Sequence, residues 1–153
     1  MAVRILAVGR RPRDPLIQVA EDYAQRAARH ARIDIVHVEP ARRRRGGDDA
    51  RVRADEAEAV LRERRTARLV LLDATGRSYG SEAFARQLQR WLVAGDLCFA
   101  IGGATGWHPP LLQAGHALLS LGPMTLPHRL ALLVLCEQLY RAQAILHGEP
   151  YHK

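Results

Sequence analysis

The chain has 153 residues, 48% of them hydrophobic, and a net charge of +7, which suits one domain, 1–153, able to bury a core without disulfide or metal staples. Cys98 and Cys136 lie in apolar runs without paired spacing, and the first apolar stretch, Ala2 to Val8, is short and interrupted by Arg4. This excludes a disulfide framework, a signal peptide and a spanning helix, so a soluble cytosolic protein with buried thiols is expected.

Along the chain, Ala2 to Val8 alternates enough for a strand, ended by Gly9 and Arg10-Arg11-Pro12-Arg13. Asp14-Pro15 reads as the N-cap and first residue of a helix to about His30, with Leu16, Ile17, Ala20, Tyr23, Ala24 and Ala27 on one face. Ile33 to Val38 is a second strand. Asp48 to Arg65 is a polar helix with a thin stripe of Val52, Ala57, Val60 and Leu61. Leu69 to Leu72 is a strand-length apolar run ending at Asp73, with Ala74-Thr75-Gly76 as a turn behind it. Ser81 reads as the cap of a helix to Ala94, with Phe84, Leu88, Trp91 and Leu92 inward and Gly95 as its stop. Leu97 to Ile101 is a buried strand, and a helix and strand occupy about Pro109 to Leu121. The loop Gly122 to Pro127 then leads into a last, apolar helix that Leu130, Leu133, Val134 and Leu135 should anchor.

Strands alternating with helices predict an α/β domain with a largely parallel sheet, whose ligands sit beyond the carboxyl ends of strands. Three loops stand at such ends: Asp73 to Arg77, Gly102 to Gly106 and Gly122 to Pro127. Their glycines allow a flat heterocycle to approach the main chain, or simply permit tight turning, and both readings stand. Gly102-Gly103-Ala104-Thr105-Gly106 has neither the dinucleotide-binding spacing nor the lysine of a phosphate loop. The seven histidines lack nearby acid or thiol partners at ligand spacing, so no metal site is expected. No nucleophile elbow is present, and His128 reads as a residue that packs at the last helix start or lies near a ligand.

Charge and the chain end carry the remaining signals. Before position 70 lie 17 of the 23 basic and 11 of the 16 acidic residues, a basic excess that fits a polyanion through counterion release. Arg42-Arg43-Arg44-Arg45 is its sharpest cluster, either a nucleic-acid contact or a solvated loop. On the last helix Glu137 and Arg141 stand four apart on one face. Arg141 is thus read as a salt-bridge partner or as a planar fork of donors for a phosphate or base. Tyr151 and His152 read either as a frayed terminus or as a ring and an imidazole that stack on a base and handle its proton.

Met124-Thr125-Leu126-Pro127-His128, Glu137-Gln138-Leu139-Tyr140-Arg141-Ala142 and Pro150-Tyr151-His152-Lys153, with Ile101-Gly102-Gly103 and Leu6-Ala7-Val8-Gly9, occur in this order. Together they resemble, over the whole chain, the ribosomal large-subunit pseudouridine methyltransferases called RlmH, small members of the SPOUT superfamily. The resemblance implies an α/β SPOUT fold with a C-terminal trefoil knot, S-adenosylmethionine as methyl donor, and a homodimer whose cofactor loops face the partner. The substrate implied is the 3-position nitrogen of a pseudouridine in a 23S rRNA stem-loop of the assembled ribosome. By position, Leu72, Gly102, Gly103, Leu121, Gly122, Pro123, Met124, Thr125 and Leu126 would line the cofactor, and Arg141, Tyr151 and His152 would serve the target nucleotide. Three positions depart from the family pattern: Leu132 stands where many relatives carry arginine, Gly122 where they carry a small polar residue, and Thr105 where some carry an acid.

Overall fold

The computed structural model describes residues 2–40 and 48–153. The arginine cluster at 42–45 lies outside the described residues. Strands and helices alternate as β1 (Ala2–Val8), α1 (Pro15–Ala27), β2 (Arg32–Val38), α2 (Asp49–Arg64), β3 (Arg68–Arg77), α3 (Ser81–Val93), β4 (Leu97–Ile101), α4 (Pro109–Ala114), β5 (Ala117–Leu119) and α5 (His128–Leu146). The strands form one parallel sheet in the order β2-β1-β4-β3-β5. Among the described residues, no helix is long and apolar enough to cross a membrane.

Side-chain alternation divides the core into two layers, because successive strand residues face opposite sides of a sheet. Val3, Ile5 and Ala7 of β1 join Leu97, Phe99 and Ile101 of β4 under α1, α3 and α5. Leu6 and Val8 join Cys98 and Ala100 under α2 and α4. Both cysteines are fully buried, and burial pushes their thiols up to about 12. They are core side chains.

Four local expectations change. The α3 cap is Gly80 rather than Ser81, which is already helical and donates its hydroxyl to Gln138 Oε1 at 2.7 Å, tying α3 to α5. Strand β3 runs past Leu72 to Arg77, and Leu72 and Arg77 both register on Leu119, so the expected turn is a bulge that leaves the ladder and rejoins it. In α2 the inward face is Glu56, Ala57, Ala59 and Val60, while Leu61 is 39% exposed and Val52 half-buried. Helix α2 meets the sheet through alanines, which admit close approach. In α5 the inward face is Leu132, Leu135, Cys136 and Leu139, leaving Leu130, Leu133 and Val134 half-buried. Leu132 therefore faces the core.

Candidate active site

The bulge of β3 and the loops after β4 and β5 enclose a cavity of about 640 Å³ at the carboxyl end of the sheet, within the range of small-molecule sites. Leu72, Gly102, Gly103, Leu121, Gly122, Met124, Thr125 and Leu126 all line it. Pro123 lines a neighbouring cavity of about 450 Å³ between α3 and α5, which also includes Leu121 and Gly122. The walls combine leucine side chains with main-chain edges, a surface suited to a flat ring and an aliphatic chain.

Three contacts fix the loops. Trp107 Nε1–H donates to the Leu72 carbonyl at 2.8 Å, joining the β4 loop to the end of β3. His128, the first residue of α5, donates from Nδ1 to the Gly102 carbonyl at 3.0 Å, which sets its tautomer with Nε2 unprotonated while the imidazole is neutral. Ser120 Oγ both accepts from the Gly122 N–H and donates to the Gly122 carbonyl, each at 3.1 Å. Gly102 is required by close approach: a Cβ there would lie 3.1 Å from the Trp107 ring. Sequence reasoning missed Trp107 and Ser120 as site residues. The tryptophan directly after the glycine run was the available signal, since a large ring beside small residues has to pack on them.

Arg141, Tyr151 and His152 form a second cluster with Glu137 at its centre. Glu137 Oε1 accepts from Arg141 Nε at 3.0 Å, Arg141 Nη2 at 2.7 Å and the Tyr151 hydroxyl at 3.0 Å, and Oε2 accepts from Gln138 at 2.7 Å. The Arg141 guanidinium lies 4.7 Å from the Tyr151 ring centre, and Tyr140 meets that ring edge-on at 4.6 Å. Burial, with hydrogen bonds to Tyr23 and Glu137, raises the Tyr151 phenol above its ordinary value. Arg141 Nη1 donates to His152 Nδ1 at 3.1 Å, so a neutral His152 carries its proton on Nε2, 3.6 Å from Glu82. The salt-bridge and donor-fork readings of Arg141 are thus joined in one side chain: the pair with Glu137 forms and leaves Nη1 turned toward the tail.

The base of the tail is clamped to the turn that follows α1. Glu149 accepts from Arg29 and bonds His30 Nε2, each at 2.7 Å, and the His30 ring stacks on His147 at 3.8 Å.

The two clusters are separate within one chain. His128 borders the cavity and Arg141 holds the tail, and thirteen residues of one helix span about 20 Å at 1.5 Å per residue.

A parallel α/β sheet with a heterocycle-sized cavity at its strand ends, closed by a turn that enters the last helix, is the setting in which the comparisons fall. Residues 1–152 match the family described as "Predicted SPOUT methyltransferase", and the chain belongs to that family. Among its relatives, a protein named "Ribosomal RNA large subunit methyltransferase H" from Anaeromyxobacter sp. is 43% identical over the full length of both chains. Proteins of the same name from Hyphomonas neptunium and Alkalilimnicola ehrlichii are 42% and 36% identical, each alignment covering 100% of this chain and 99% of the relative.

Proposed function

We propose that this chain, a single SPOUT domain with the family's C-terminal knot, transfers a methyl group from S-adenosylmethionine to the N3 position of a pseudouridine in 23S rRNA. It does so in the cytoplasm, on the assembled ribosome. The observation that carries the reading is the cavity, lined by eight of the nine residues expected to hold the cofactor. When bound, S-adenosylmethionine supplies a methyl group already activated on a sulfonium. The protein's task is then to align acceptor and donor and exclude water. Leu72, Leu121 and Leu126 offer apolar walls, and the main chain at Gly102 and Gly103 offers polar edges for the adenine and methionine portions.

The acceptor nitrogen carries a proton that must leave before it attacks. Arg141 stabilises the negative charge that develops on the deprotonated imide, and Tyr151 positions the base from the aromatic face of α5. His152 receives the proton at Nδ1, directly or through water, once Arg141 Nη1 turns from the imidazole to the imide oxygen. Reacting atoms must come within roughly 3–3.5 Å, whereas cavity and tail lie about 20 Å apart along α5. The working site therefore pairs the cavity of one subunit with the tail of another in a homodimer. Support for the dimer comes from Leu130 and Val134, half-buried on α5, and from Met124, 82% exposed in the loop before it.

The test is transfer of labelled methyl from S-adenosylmethionine to intact ribosomes and separated subunits from a strain lacking the gene, with the product nucleotide mapped by mass spectrometry. The expected result is label on a large-subunit pseudouridine. Label on tRNA instead, or on a ribose hydroxyl, would keep the donor and replace the substrate.

A further inference from the structure

Helix α2 is polar and meets the sheet through alanines, yet one carboxylate, Glu56, is turned inward and only 8% exposed. No cation pairs with it among the described residues. The carboxyl group faces the Gly103 main chain, whose amide partly opposes the effect of burial, and Oε2 is buried without a hydrogen-bond partner. Burying a carboxyl with so little compensation is costly, and burial accordingly raises this group above its ordinary value. An alanine would fit the face better, as Ala57 and Ala59 do.

What the carboxyl touches is the β4 loop. A Cβ on Gly103 would lie 3.0 Å from Glu56 Oε1 and 3.1 Å from Oε2, so the carboxyl group fills the side-chain position of Gly103. Gly103 itself lines the cavity. On the adjoining residue, Trp107 packs where a Gly102 Cβ would sit, and His128 holds the Gly102 carbonyl. The neighbouring Arg53 of α2 donates to the Thr105 carbonyl at 3.3 Å, further along the same loop. Helix α2 thus meets the loop at two points, Glu56 at Gly103 and Arg53 at Thr105.

We infer that Glu56 is a positioning residue for the methyl donor: it fixes the Gly102-Gly103 main chain, so that the cavity side of the loop is shaped before the donor arrives. The inference rests on reading the cavity as the S-adenosylmethionine pocket. Neither a metal nor a reacting group is involved, and Glu56 acts through Gly103 alone. The absence of a side chain at 103 follows from the same contact, because carboxyl and Cβ compete for one volume.

The experiment is calorimetric titration of S-adenosylmethionine into the full-length protein and its Glu56→Gln, Glu56→Ala, Gly103→Ala and Glu56→Ala/Gly103→Ala variants. Melting temperatures establish that each is folded, and steady-state KM values are taken for donor and for ribosomes. Glu56→Ala is expected to weaken donor binding about tenfold, because the donor would then have to order the loop itself. Glu56→Gln, which fills the same volume against Gly103, should restore it to within about threefold of wild type. Gly103→Ala should cost about tenfold in the native background and much less once Glu56 is alanine, since the volume is then free. The KM for ribosomes should not change, which a general loosening of the fold would not spare. Full donor affinity in a folded Glu56→Ala protein, or additive losses in the double variant, would overturn the inference. If Glu56→Ala fails to fold, Glu56→Gln and Gly103→Ala decide: a glutamine variant as weak as Gly103→Ala overturns it. Failure of the wild type to bind S-adenosylmethionine would instead remove the cofactor reading itself.

Discussion

The cavity and the tail are built on opposite plans. The cavity is made of main chain, its loops held by contacts onto carbonyls and amides, as when Trp107 donates to Leu72, His128 to Gly102 and Ser120 pairs with Gly122. The tail cluster is made of side chains gathered on one carboxylate, Glu137, which accepts from Arg141, Tyr151 and Gln138. A main-chain site tolerates most substitutions except those that put atoms where a ligand or neighbour must approach. A side-chain site depends on each member and on the member that organises it. The first plan suits recognition of a constant cofactor, and the second suits chemistry on a large RNA.

The widest break in this comparison comes from Arg141→Ala. Removing a charge-stabilising donor costs on the order of 100-fold in kcat, and donor affinity should stay within about twofold of wild type because the cavity is not touched. Single-turnover methylation and calorimetry measure the two. The same variant tests the two-subunit arrangement: mixed with a cavity-blocked Gly102→Leu protein, equally inactive alone, it should recover about a quarter of wild-type activity through mixed dimers with one intact site. No recovery on mixing, with subunit exchange verified, would place both halves of the site in one chain.

Glu137→Ala tests whether the carboxylate organises the tail. It frees Arg141 and removes the carboxylate that accepts from the Tyr151 hydroxyl, so kcat should fall on the order of tenfold and stability by about 1–3 kcal/mol, read from turnover and urea denaturation. A kcat equal to wild type would mean that the cluster serves packing alone. Gly102→Ala acts on the opposite plan. Its Cβ would lie 3.1 Å from the Trp107 ring, so donor affinity should drop several-fold, to about a tenth of wild type at most, while kcat at saturating donor is kept.

How much of this was readable from the sequence follows the same division. Main-chain features announce themselves through composition: glycines behind apolar runs marked the loops after β4 and β5 that line the cavity, and the alternation of Ala2 to Val8 marked β1 as a strand. The Glu137–Arg141 pair was legible because four residues make one helical step. What was hidden depends on contacts distant in sequence. Ser81 reads as a cap by local rules, but Gln138, fifty-seven residues away, takes its hydroxyl. Leu61 completes an apolar stripe on paper, yet the alanines and Glu56 face the sheet instead. Trp107 gained its role only when the β4 loop met β3, at a carbonyl thirty-five residues earlier. The identities of Arg141, Tyr151 and His152 as a group came from resemblance to a family, since no spacing rule joins residues 141 and 152.

The smallest effect expected concerns the clamp at the base of the tail. The Glu149 carboxyl is held below its ordinary value of 4.5 chiefly by its hydrogen bond to His30, which outweighs the opposing effect of burial, with Arg29 adding to the lowering. A carboxylate whose value is depressed by folding contributes stability above its unfolded pKa and loses it as the pH falls through the folded value. Glu149→Gln should therefore lower the melting temperature slightly at neutral pH. The gap between variant and wild type should shrink only below about pH 4.5, where the native carboxylate takes up its proton. Melting curves from pH 3 to 7 measure this. A gap that persists unchanged into acid would assign the difference to packing of the glutamine rather than to the charge, and the tail would then be held by the stacked His30 and His147 rings and the aromatic cluster around Tyr151.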